Sequence, residues 1–146
     1  MDDEKLDRVL NEILGKRSSN ELESLLAGYR LSCLSEGKSK NTVGIVEASV
    51  RYLEKFLADQ NLPSDVTEIG VNELRQFSVA LKQRPRFGAH PFTRPQEGHL
   101  SGHTINGYMR ALQSFWSWLE REEFIQQNPF SKLKIPKAPK KNNAYL

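Results

Sequence analysis

The chain has 146 residues, of which 38% are hydrophobic and 27% charged, with a formal net charge of +3. That is enough chain for one domain with its own hydrophobic core, and too apolar a composition for a disordered segment. The single cysteine, Cys33, excludes an internal disulfide, no run approaches the ~18 consecutive apolar residues of a membrane span, and the acidic start MDDEKLDR does not read as a secretory leader.

Five segments carry a helical period. In the first, Leu6, Val9, Leu10, Ile13 and Leu14 share one face and Gly15 can end the helix. Its stripe is narrow and its polar face mostly acidic, so it must dock on this domain or on a neighbouring protomer. The second runs from about Asn20 to Ser35, with Leu22, Leu25, Leu26, Tyr29 and Cys33 inward and Gly37 as terminator. Cys33 on that face is a core residue rather than a reactive thiol.

The third segment, from about Lys40 to Gln60, places Val43, Val46, Val50, Leu53 and Leu57 in a stripe, with capping oxygens from Ser39, Asn41 and Thr42 at its start. The fourth, from about Val71 to Gln83, has Val71, Leu74, Phe77, Val79 and Leu81 as its apolar set, Thr67 as a cap for an initial turn, and Pro85 beyond its end. The fifth, from about His103 to Glu123, carries a broad face of Ile105, Tyr108, Met109, Leu112, Phe115, Trp116 and Leu119, with Trp118 at its margin and Ser101 as its cap. An aromatic group of this kind is core, not a ligand box.

Between the last two helices, RPRFGAHPFTRPQEGHLSG shows no strand alternation and reads as a long loop. After Asn128-Pro129 the chain becomes KLKIPKAPKKNNAYL, where Pro136 and Pro139 prevent a helix and leave an extended basic tail. The charges are segregated. Acids dominate residues 1–36, whereas residues 82–110 set Lys82, Arg84, Arg86, Arg94 and Arg110 against Glu97 alone, and residues 124–146 carry lysines and no acid. Clustered bases of this sort suit a polyanion, although lysine tails also serve solubility.

Two stretches share one design. KSKNTVGIVEASVRYLEKFL places Ser39 three residues before Thr42, and LSGHTINGYMRALQSFWSWLEREEFIQQNP places Ser101 three residues before Thr104, each opening a helix. With LLAGYRLSCLSEGKSKNTV before the first and Ile135-Pro136-Lys137 after the second, the ordered combination from about Leu22 to Lys137 resembles the core-binding domain of the tyrosine recombinases, the phage-integrase and Xer family. The resemblance implies an all-α, SAM-like four-helix bundle with an additional short N-terminal helix and a basic C-terminal tail. It divides the chain into an amphipathic helix at 1–18, the DNA-binding domain at 19–131 and a linker at 132–146. It also implies no enzyme activity in this chain and no cofactor, because the family's catalytic Arg, Lys, His-x-x-Arg and Tyr belong to a second domain. The sequence holds no His-x-x-Arg, since His90 and Arg94 are four apart, and Tyr145 stands in the linker region.

The partners so implied are double-stranded DNA, the parent protein's own catalytic domain, and further copies assembled on DNA, with no membrane. The setting is the cytoplasm of a bacterium or phage host, at the nucleoid when DNA is bound. Elementary chemistry points the same way. A helix start offers unpaired N–H groups and partial positive charge to a phosphate. Lys38, Ser39, Lys40, Asn41 and Thr42 mark one such start, and Ser101, His103, Thr104 and Asn106 the other. If the two helices run side by side, both starts face one groove. Arg51, Lys55 and Arg110 then extend the contact along the helices, Arg84, Arg86 and Arg94 from the loop, and Lys134 and Lys137 from the tail. The competing readings are capping alone for the hydroxyl residues and a solvated face for the bases. The alternative functions are a helical protein–protein module, docking through Leu6, Leu10 and Ile13, or a stand-alone DNA-binding protein. A metal site from His90, His99 and His103 lacks a second ligand type and has Gly102 between its closest pair.

Overall fold

Among the described residues four long helices pack together: α1 (Leu22–Ser35), α2 (Lys40–Asp59), α3 (Val71–Gln83) and α4 (Gly102–Arg121), with a 3-10 turn at Pro129–Ser131. The computed structural model describes residues 3–6, 20–83, 85–86, 96–99 and 102–137, and of 85–86, 96–99 and 102–103 the backbone only. Each helix matches a periodic segment of the sequence to within two residues at either end, so the fold is the all-α bundle expected.

Local chemistry sets the ends. The α1 helix closes on Gly37, whose φ of 85° is the left-handed conformation that glycine adopts freely. Lys38 N–H then donates to the Cys33 carbonyl at 3.0 Å and Gly37 N–H to Leu34 at 3.1 Å, the paired bonds that satisfy a helix C-terminus. The same pairing ends α2 at Asn61 and α4 at Glu123, both at positive φ. Ser39 caps α2 by accepting from Thr42 N–H at 3.1 Å. Two details differ from the sequence expectation. Thr67 caps nothing; its N–H and hydroxyl both donate to Asp65 Oδ1, at 2.8 and 2.6 Å. The turn into α3 is closed instead by Glu73, whose carboxylate accepts from Gly70 N–H at 2.9 Å.

The core is one cluster to which all four helices contribute: Leu22, Leu26 and Tyr29 from α1, Val43, Val50, Leu53 and Leu57 from α2, Leu74, Phe77 and Leu81 from α3, and Ile105, Met109, Leu112, Phe115, Trp116 and Leu119 from α4. Cys33 lies in it, 1% exposed, as its place on the apolar face foretells. Val79 does not; it is half exposed, and Ser78 takes the inward position beside it. Connecting segments add Val66, Ile69, Ile125 and Phe130, none of them on a periodic stripe.

Helix direction follows from cross-contacts. The α1 and α2 helices form a hairpin tied by Arg30 to Glu47 at 2.8 Å. The chain just before α1 is stitched to the α2–α3 connection, with Leu22 N–H donating to Ser64 and Val66 N–H to Asn20. Across α1 lies α4. Trp118 presses on α1 where Gly28 has no side chain; a Cβ there would meet the indole at 3.4 Å. Tyr29 stacks edge-on against Phe115 and Trp118, with ring centroids 5.4 and 5.5 Å away.

Residues 3–6 are helical and exposed; the remainder of the first apolar stripe, Val9 to Leu14, lies outside the described residues. The stretch taken from sequence as a loop contains a short antiparallel pair, β1 (Pro85–Arg86) and β2 (Gln96–His99), with a register irregularity. A two-residue strand has no room for the alternation that reveals strands in sequence.

Candidate nucleic-acid interface

With one side of α4 committed to the core, its opposite side carries Thr104, Gly107, Arg110, Ser114, Ser117 and Arg121, all exposed. Steps of three and four residues hold them in one line. From Gly102 to Leu119 the helix contains no acid, and Gly107, Ser114 and Ser117 are small enough for a bulky surface to approach the backbone closely.

At the start of α4 the tail returns along the bundle. Asn106 is buried, donates from Nδ2 to the Pro136 carbonyl at 2.7 Å, and accepts from Arg110 Nε at 3.0 Å. Leu133 and Ile135 pack on the core while Lys134 and Lys137 are exposed. The tail thus lays lysines beside the line begun by Thr104 and Arg110.

At the other end of α4, Lys38 lines a hollow of about 300 Å³ together with Ser114, Ser117 and Arg121. Glu36 sits between the two cations, 3.3 Å from Arg121 and 3.8 Å from Lys38. Lys40, Asn41 and Thr42 follow, all exposed. The start of α2 therefore adjoins the end of α4, whereas near the start of α4 Tyr108 meets Tyr52, far along α2, with centroids 5.2 Å apart. The two helices run in opposing senses.

This corrects the arrangement expected from sequence, in which both helix starts face one stretch of backbone. They lie at opposite ends of the α4 line; from Thr104 to Ser117 alone the helix rises about 20 Å. The physical reason is that α2 returns from α1 as a hairpin and α4 packs against α2 head to tail, a choice that no local pattern encodes.

Among curated proteins, tyrosine recombinase XerC of Bacillus subtilis (strain 168) is 39% identical over 116 residues, covering 73% of this chain and 37% of that protein. The XerC proteins of Halalkalibacterium halodurans and Oceanobacillus iheyensis are 26% and 25% identical over 113 residues, each covering 77% of this chain and 32% of its own length. The chain is related to the tyrosine recombinases. It spans about a third of the length of these curated relatives. No family model matches the chain, and no solved structure matches it significantly.

In this recombinase relative the other expected contacts are dispersed. Lys55 borders a hollow of about 320 Å³ with Tyr52 and Phe56, facing the end of α3. Arg51 lies on the α1 flank of α2, beside Glu54. The Glu54 carboxyl is raised above its ordinary pKa by burial first and Glu23 next, against the opposing pull of Arg51. Arg86 lies in β1 and His103 in the first turn of α4, and nothing is described of either side chain. Arg84, Arg94 and Ser101 lie outside the described residues. Ser39 and Thr42 spend their hydroxyls on each other, 2.9 Å apart, as well as on the cap.

Arg121 and Ser117 are not among the contacts expected from sequence, where Glu120, Glu122 and Glu123 read as a solvated surface. The signal was present in the spacing, since residues 110, 114, 117 and 121 share a face. Asn106 is the reverse case: expected to meet DNA, it instead ties tail to helix and aims Arg110. Asn106→Ala leaves the Pro136 carbonyl without its donor and is expected to cost about 1–3 kcal/mol. Thermal unfolding measures the loss, and faster proteolysis within residues 132–137 shows that the tail has been released.

Proposed function

We propose that this chain binds duplex DNA along the outer line of α4, as the core-binding part of a site-specific tyrosine recombinase. There it positions a recombination half-site for strand exchange by a separate catalytic domain. The observation that carries this reading is the acid-free face from Thr104 to Ser117, with exposed bases at both ends: Lys134 and Lys137 by the start of α4, Lys38 and Lys40 by its end. A rod of like charge spaced over about 20 Å matches several phosphates along a duplex, which repeat every 3.4 Å per strand. The helix line offers few side chains long enough to read base edges, so these contacts serve position and shape more than sequence. The relatives' designation as recombinases agrees with a DNA partner.

The test is a titration of fluorescent duplex at several salt concentrations. Four phosphate contacts predict a log–log slope of about −3.6, or roughly a hundredfold loss of affinity between 50 and 200 mM salt. A flat salt response, or self-association with no duplex binding, would turn the assignment toward a protein–protein module.

A further inference from the structure

The hollow at the end of α4 is built by three parts of the chain that only the fold brings together: the last turn of α1, the α1–α2 turn and the last turns of α4. Its wall offers an ammonium at Lys38, a guanidinium at Arg121, a hydroxyl at Ser117 and an amide at Gln113, while the Ser114 hydroxyl already donates to the Arg110 carbonyl at 3.2 Å. Two cations from different elements with neutral donors form the donor set of a tetrahedral oxyanion. Among the described residues Glu36 is the carboxylate paired with these cations, and it reaches both at once. Its side chain is 42% exposed, those of Lys38 and Arg121 46% and 56%, so the pairing is a surface one that adds little to the fold. A carboxylate held between two exposed cations at the rim of a donor-lined hollow occupies the place of an incoming anion.

We infer that this hollow seats one phosphate of the DNA backbone, and that Glu36 is a resident competitor which that phosphate must displace. The inference rests on the DNA-binding reading and deepens it. It assigns the start of α2 and the end of α4 to one phosphate, and makes Glu36 the residue that sets how tightly that phosphate is held. In free protein Glu36 pairs with both cations and cancels half of their charge. When the phosphate arrives, the carboxylate swings to solvent and both cations turn to the oxyanion, so binding is weaker than two free cations would give and dissociation faster.

The consequence is a pair of opposite signs. Arg121→Gln and Lys38→Gln should each weaken duplex binding about fivefold, and the two together should flatten the salt slope by about one unit, the share of one phosphate. Glu36→Gln should tighten it about three- to tenfold. Because the gain at Glu36 works through the freed cations, it should largely vanish in the Glu36→Gln/Arg121→Gln double variant. A simple loss of negative charge predicts otherwise: the gain would survive Arg121→Gln, and Glu68→Gln, exposed on the α2–α3 connection, would match it. Either result overturns the inference. A second arm titrates inorganic phosphate and follows backbone amide resonances of Lys38 and Ser117. Shifts that grow in Glu36→Gln and fade in Arg121→Gln support the seat, and no shifts overturn it. If phosphate moves these resonances while duplex affinity ignores all three substitutions, the hollow takes free anion and the backbone assignment is wrong. If the unaltered chain binds no duplex, the DNA reading fails, and the phosphate arm alone decides whether the seat exists.

Discussion

Reversing charge in the middle of the α4 line and beside its far end, with Arg110→Glu and Lys40→Glu in one chain, is expected to abolish duplex binding under physiological salt. Arg110 is the middle cation of the line, and Lys40 opens α2 beside its far end. A hydrogen bond to a charged group contributes about 1.5–3 kcal/mol, so two lost contacts weaken binding at least about a hundredfold before the new repulsion is counted. The sites are far apart, and the single variants should therefore nearly add. Both residues are exposed, so circular dichroism should stay as it was, and the unfolding midpoint should fall only by what the lost Arg110–Asn106 hydrogen bond costs, about 1–3 kcal/mol. Affinity unchanged in the double variant would remove α4 from the interface. Arg110 carries one complication: its Nε is held by Asn106, so Arg110→Gln, which keeps a side-chain amide but no charge, separates aim from charge.

The largest stability effect is expected at Phe115. It is fully buried, with Tyr29, Trp116 and Trp118 ring centroids between 5.4 and 5.9 Å away. Phe115→Ala removes the ring that joins α1 to α4 and leaves a cavity that three rigid aromatic neighbours cannot fill, at a cost of about 3–5 kcal/mol. Against a total stability of about 5–15 kcal/mol, that is a large part of the whole. The urea midpoint should fall by about 2 M with little change in slope. A loss below about 1 kcal/mol would mean that the aromatic group does not hold the bundle together.

The helices were legible in sequence because each buries one stripe, and a buried stripe on a 3.6-residue period repeats at three and four. The stops were legible where glycine made them, as at Gly37, and hidden where Asn61 and Glu123 adopt the same left-handed turn without its residue type. The core contributions of Val66, Ile69, Ile125 and Phe130 were hidden too, since a connecting segment has no period. Of the candidate interface, the chemistry of α4 was readable and its geometry was not. Direction between α2 and α4, the burial of Asn106 and the meeting of Glu36 with Arg121 across 85 residues are all products of packing. Sequence therefore indicated which residues carry polar and basic chemistry, and the bundle decided which of them stand together.

Both tryptophans of the chain belong to α4, one turned wholly inward and the other on the wall of the Lys38–Arg121 hollow. The molecule is thus equipped with two built-in optical gauges at different depths. Emission from Trp116 reports whether the helices remain assembled, and if the hollow seats a phosphate, emission from Trp118 should shift as charge enters beside it. Replacing either indole by phenylalanine lets the remaining one be read alone, so ligand arrival and loss of structure can be followed in the same cuvette without any label.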